Sequence, residues 1–242
     1  IDVYRGTVKP VKSFASFITF VTFWPQLVAG PILRIDEVVP QLERERHFSW
    51  KDFNWGVYRI LIGLFKKVVL ADNLAPMVER AFSLNPGQLS APDVWVACFL
   101  FGFQIYFDFS GYSDIGLGSA RILGFHFPEN FSWPYLATSP RTFWQRWHIS
   151  LSSWIRDYLY LPLSGERFRA PAQKIRSQDG LAVAGSPARR RSLKPLLLTW
   201  FIMGLWHGAA WRFALWGVYH ALVIYVYRVW PPLQRLVRRW PV

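Results

Sequence analysis

The sequence predicts an all-α fold, a multispanning transmembrane helical bundle with re-entrant or interfacial amphipathic helices, and three observations carry that expectation. Of its 242 residues 52% are hydrophobic and 18% aromatic, with 14 Trp and 20 Phe, more than an ordinary soluble domain uses. Its 28 Lys and Arg lie between the apolar stretches, so that mean hydropathy is only +0.14, as expected when apolar spans are joined by basic loops. The apolar runs are long and do not alternate, and a chain crossing lipid in such runs satisfies its own hydrogen bonds as helix rather than as barrel strand. A net charge of +13 would also suit nucleic acid. That reading requires basic residues gathered on one face with interleaved aromatics, whereas here they cluster at run ends, so no nucleic-acid partner is expected.

The first element, 13–33, is an uncharged run between Lys12 and Arg34, long enough to span but broken by Pro25, Gly30 and Pro31, which predicts a kinked or re-entrant segment. The second, 54–71, is interrupted by Arg59 and Lys66-Lys67, so a tilted or interfacial amphipathic helix competes with a full span. The third, 94–118, carries Asp108 and Asp114, carboxylates that must face protein or water. Within it Ser110-Gly111-Tyr112-Ser113 is small and turn-like, predicting a helix break. The stretch 128–165 reads as short amphipathic helices broken at Pro134, Pro140 and Pro162. The segment 166–194, with eight Lys or Arg against two acids, is predicted to be a basic cytoplasmic loop. Two final apolar runs, 195–211 and 213–227, are separated by Arg212 and lead to a basic tail with Arg235, Arg238 and Arg239.

The single cysteine, Cys98, excludes an intramolecular disulfide and a cysteine-based zinc site and reads as a small apolar packing residue. The chain starts at Ile1 with neither a signal nor a transit pattern. The expectation is one membrane domain over 1–242 that lacks an N-terminal portion.

Two histidines in tryptophan-rich surroundings are the main chemical candidates. His207, twelve residues after Pro195, is placed near the middle of a span, either as a base, acid or ligand in a polar cavity or as a helix-packing hydrogen-bonder. Gly204 and Gly208 beside it allow close approach of another helix or a substrate. His148 follows Trp144 by four residues and precedes Ser152 by four, so one helix would put all three on one face; an incidental place in an interfacial aromatic belt is the competing reading. His47, His126 and His220 read as structural or surface residues. Asp108 and Asp114, six apart, do not share a helical face. No histidine spacing supports a metal site, so none is assigned, and neither a nucleophile elbow nor a phosphate-binding loop is present.

The ordered motifs Trp24-Pro25-Gln26-Leu27-Val28-Ala29-Gly30-Pro31-Ile32, Phe107-Asp108-Phe109-Ser110-Gly111-Tyr112-Ser113-Asp114, Arg141-Thr142-Phe143-Trp144-Gln145-Arg146-Trp147-His148 and Gly204-Leu205-Trp206-His207-Gly208 resemble the membrane-bound O-acyltransferase family, in particular its bacterial branch with the alginate O-acetyltransferase membrane subunit. The resemblance runs from about residue 14 to about residue 227. It implies a multi-pass protein of the bacterial inner membrane that moves an acetyl group from a cytoplasmic donor, acetyl-CoA or another acyl thioester, to a hydroxyl acceptor, with no bound cofactor. It implies a polysaccharide acceptor such as alginate and a periplasmic acetyltransferase partner. By the resemblance His207 is the catalytic histidine and His148 the second polar position. Trp144, Trp147 and Trp206 would wall the tunnel, Arg141 and Arg146 would meet donor phosphate or carboxylate groups, and Asp108, Tyr112 and Asp114 would belong to the substrate-binding set. Peptidoglycan or teichoic acid is the alternative acceptor, and a non-catalytic membrane scaffold the alternative class.

Overall fold

The computed structural model describes residues 1–27, 30–165 and 192–238. These are helical, with no strand among the described residues, as the non-alternating apolar runs require. They form two compact units, Val11–Asn130 and a second made of Ile1–Pro10 with Phe131–Val242.

In the unit 11–130, the run expected to be one kinked segment forms two short helices, α1 (Phe14–Thr22) and α2 (Trp24–Leu27). Ser13 caps α1 by accepting from the Ser16 N–H, the usual way to satisfy an orphan donor. The expected break lies at Phe23, which is extended, and Pro25 sits in the first turn of α2, where its missing N–H costs nothing. Helix α3 (Ile35–Leu42) buries Val38 and Val39. Leu33, Val38, Ala120 and Phe125 form a small core flanked by Phe20 and Phe23.

Helix α4 (Trp50–Leu64) passes through a widened π turn (Phe65–Ala71) into α5 (Asp72–Ser83). Helix α6 (Ala91–Ile122) has 32 residues, about 48 Å at 1.5 Å per residue. Among the described residues it is the one helix long and apolar enough to cross a membrane. The break expected at Ser110–Ser113 does not occur, because those small residues serve helix crossing instead. A Cβ on Gly111 would lie 2.8 Å from the Gly63 carbonyl oxygen, and one on Gly118 would lie 2.5 Å from that of Gly56. Small residues let two helix backbones touch without unwinding either. Cys98 is exposed on α6 rather than packed, since the first half of this helix presents an apolar surface that includes Val94, Trp95, Phe99 and Phe101.

In the other unit, short helices α7 (Pro140–Arg146), α8 (Ile149–Ile155) and α9 (Leu161–Leu163) occupy the proline-punctuated stretch, with a π turn at Arg156–Tyr160. Pro134 and Pro140 open a 3₁₀ turn and α7 as expected, but Pro162 lies within α9 without breaking the chain's helical course. The long elements are α10 (Leu193–His207) and α11 (Trp211–Val229), followed by α12 (Pro231–Arg238). The predicted basic loop falls, over 166–191, outside the described residues, and its last two positions, Leu193 and Lys194, already belong to α10. Arg239 of the tail also lies outside them.

Helices α10 and α11 pack backbone against backbone. A Cβ on Gly204 would overlap the Phe213 carbonyl oxygen, and one on Gly217 would overlap that of Trp200. Around this crossing lies the unit's core of Tyr160, Leu196, Trp200, Met203, Ala221 and Ile224. Arg228 closes one side by donating to the Tyr160 hydroxyl at 3.1 Å.

Candidate active site

His207 is the last residue of α10, not a mid-span residue as the run length implied. Helix α10 stops there because Gly208 turns out of it in an extended conformation and the chain rounds a tight corner, with Ala210 N–H donating to Gly208 O at 2.8 Å. Gly208 does not open space for a substrate, since a Cβ on it would collide with the Phe213 ring. The corner leaves the imidazole of His207 exposed and without a hydrogen bond among the described residues. Its ring meets two indoles, Trp206 at 4.9 Å and Trp216 at 5.3 Å, the latter edge-on at 89°.

His148 lies in the same unit but on no helix. It sits between α7 and α8 with φ 42° and ψ 57°, a left-handed conformation that non-glycine residues adopt at a cost. The expected helical face of Trp144, His148 and Ser152 is therefore absent, because α7 ends at Arg146 and His148 reverses the backbone before α8 begins. His148 still caps α8, its carbonyl accepting from Ser152 N–H at 2.9 Å. The residue is buried, 9% exposed. Its Nδ1 is 3.5 Å from the Ser150 hydroxyl, and its ring stacks at 6.4 Å on Phe131.

The tryptophans divide into three settings. Trp147 packs with Phe131, Tyr135 and Phe143 on the His148 side. Trp206 is 64% exposed beside His207. Trp144 turns away from both, against Trp200 at 4.6 Å and Trp216 at 6.0 Å, with its indole N–H buried and donating to no acceptor among the described residues. Arg141 and Arg146 in α7 are half-buried and have no carboxylate partner among the described residues.

One residue of this setting escaped sequence reading. His220 lies inside a box of indoles, stacked on Trp200 at 5.3 Å and edge-on to Trp144 at 5.1 Å and Trp216 at 4.8 Å. The available signal was Trp216 four residues earlier, the same i, i+4 spacing as Trp144 and His148.

Asp108, Tyr112 and Asp114 lie on α6 in the unit 11–130. Asp114, 3% exposed, accepts from Arg59 at 2.8 Å and from Lys66 at 2.6 Å. Asp108 pairs with Lys67 at 2.7 Å, and Lys67 also meets Asp72 and lies 5.9 Å from the Tyr112 ring centre. Arg59 further bonds Glu129. Each carboxylate of this set thus has a cation from α4 or its π turn.

The described residues are helical, one helix among them is long and apolar enough to cross a membrane, and the unit that holds residues 131–242 carries an exposed imidazole, His207, against two indoles and a buried one, His148, stacked on Phe131. The sequence profile of the membrane-bound O-acyltransferase family matches residues 9–178, and the chain belongs to that family. It is 38% identical to a probable alginate O-acetylase AlgI of Azotobacter vinelandii, over 98% of this chain and 42% of the relative. Against the corresponding Pseudomonas aeruginosa protein it is 39% identical, over 94% of this chain and 40% of the relative. A peptidoglycan O-acetyltransferase of Helicobacter pylori is 36% identical, over 93% and 39%. The chain therefore spans about 40% of the length of these curated relatives.

Proposed function

We propose that this chain carries the histidine centre of a multi-pass bacterial inner-membrane O-acetyltransferase that delivers acetyl groups to an exopolysaccharide. The observation that supports this most directly is the contrast between the two imidazoles. His207 is exposed with neither ring nitrogen hydrogen-bonded among the described residues, whereas His148 is buried and held at one nitrogen by Ser150. A base needs a lone pair open to substrate, and a partner that orients or polarises needs a fixed ring.

In this reading neutral His207 takes the proton of an acceptor hydroxyl as its oxygen attacks the thioester carbonyl carbon. The C–S bond then breaks, the acetyl group stays on the acceptor oxygen, and the thiolate leaves and is protonated. His148 orients the acceptor or polarises the carbonyl. Trp147 and Trp206 line the approach, and Arg141 and Arg146, without a carboxylate partner among the described residues, suit phosphate groups of a donor such as acetyl-CoA. Trp144, turned onto Trp200, supports the site from behind. The carboxylates Asp108 and Asp114, engaged by lysine and arginine, serve to pair charge between helices, Asp114 buried and Asp108 partly exposed, rather than to hold substrate. The alginate O-acetylase relatives support a polysaccharide acceptor, and the peptidoglycan O-acetyltransferase relative supports peptidoglycan as the alternative; in this reading a periplasmic acetyltransferase partner passes the acetyl group on.

The test is acetyl transfer by the full-length protein in membranes carrying its native acceptor. His207→Ala is expected to lower the rate by about 100-fold to 10,000-fold, the usual worth of a general base, at unchanged protein abundance. Wild-type transfer by His207→Ala overturns the assignment. Mass analysis of acetyl esters on exopolysaccharide and on peptidoglycan from a deletion strain distinguishes the acceptors.

A further inference from the structure

We infer that Trp216 is a positioning residue that holds the His207 imidazole in its reactive orientation, backed by the indole box around His220. The inference rests on the proposed role of His207 as base.

Three features set the problem. His207 is the terminal residue of its helix, it is exposed, and no hydrogen bond among the described residues fixes its ring. Two ring contacts are left to orient it. Among the described residues Trp206 has no ring contact other than His207, and it is 64% exposed, so no further ring holds it in place. Trp216 is held by Trp144 at 6.0 Å, Trp200 at 6.1 Å and His220 at 4.8 Å, and it presents itself to His207 at 89°, the edge-to-face geometry that aromatic pairs favour.

The backbone makes this contact rigid. Trp216 immediately precedes Gly217, whose position against the Trp200 carbonyl admits no side chain, so the register of α11 on α10 is fixed one residue from the indole. His220, one turn on, fills the far side of the box and keeps Trp216 from rotating back. A general base works only when its lone pair lies on the path of the departing proton, and a displacement of about 1 Å costs up to about 100-fold. Trp216 touches neither proton nor acceptor in this account, so its loss should lower turnover and leave substrate binding alone.

The experiment compares Trp216→Leu, Trp216→Phe, His220→Leu and His207→Ala in the full-length protein in membranes, reading kcat and KM for acetyl transfer with abundance measured in parallel. Trp216→Leu keeps apolar bulk but removes the aromatic edge, and kcat should fall about 10-fold to 100-fold with KM within about 3-fold. Trp216→Phe restores an edge and should stay within about 3-fold of wild type. His220→Leu, which loosens the box from behind, should lower kcat about 3-fold to 10-fold, and it decides the question if Trp216→Leu does not accumulate. If His207→Ala is inactive while Trp216→Leu or His220→Leu keeps wild-type kcat, the positioning role falls and the base assignment stands. Equal loss in Trp216→Phe and Trp216→Leu also overturns it, because the aromatic edge is then not what matters. Wild-type kcat in His207→Ala removes the base itself and the inference with it.

Discussion

The α4–α6 pair and the α10–α11 pair use one backbone device for opposite chemical ends. Each crosses at glycines so close that a methyl group would collide with a carbonyl oxygen of the other helix. Between α4 and α6 these carboxylates are paired: Asp114 with Arg59 and Lys66, Asp108 with Lys67, Asp52 with Arg121. Beside α10 and α11 the imidazoles are left open, with His207 unbonded and His220 touching rings alone among the described residues. A charge in an apolar setting is tolerated when paired, so a saturated ladder signals structure. An imidazole can remain neutral and unpaired at much lower cost, which leaves a nitrogen available for chemistry.

Substitutions that exchange the roles of these two regions test the comparison. The largest effect is expected from His207→Ala, which removes about 100-fold or more of activity without shifting the melting temperature. Asp114→Asn should do the reverse, costing about 3 kcal/mol, the low end for breaking a buried pair, since Arg59 and Lys66 are about a quarter exposed. Thermal unfolding in detergent reads this loss, while turnover per folded molecule stays near wild type. A collapse of turnover at normal stability would move Asp114 into the site and dissolve the contrast.

Gly63→Ala should cost about 1–3 kcal/mol by overpacking, because its Cβ would lie 2.6 Å from the Gly111 carbonyl oxygen and 2.8 Å from Ile115 Cγ1. The same unfolding assay reads it, and a neutral result would show that the two helices separate easily. The smallest effect concerns Asp52, at the first turn of α4 and before its apolar stretch. The hydrogen bond from Arg121 holds its carboxyl below the ordinary 3.8. A depressed carboxylate stabilises the fold above its unfolded value, and that contribution is lost as pH falls through the folded value. Asp52→Asn should therefore flatten the acid limb of stability below about pH 4 and leave neutral-pH activity unchanged.

Much of this molecule is written in local pattern. Helix α6 follows from a long apolar run with Ser90 and Asp93 forming a capping box at its start, and Pro140 behind Ser139 announces α7. The positions of the histidines were less legible. The hydrophobic run implied that His207 lies mid-span, because apolarity continues past it, yet Gly208 ends the helix at that residue. His148 looked helical by spacing, but its left-handed backbone is a tertiary outcome, held by Ser152 and the aromatic packing around it. The small residues at 110–113 read as a turn when considered alone. Only the Gly63 carbonyl lying against them makes them a crossing.

The sequence by itself determined that the chain is helical, apolar enough for a membrane family, and equipped with two indole-flanked imidazoles, because periodicity, capping and composition are local properties. Tertiary structure alone decided which polar groups are consumed and which stay open. Pairing and ring contact depend on what a neighbouring helix brings within a few ångströms, and the collisions at Gly63, Gly111, Gly204 and Gly217 that set those distances join residues far apart in the chain.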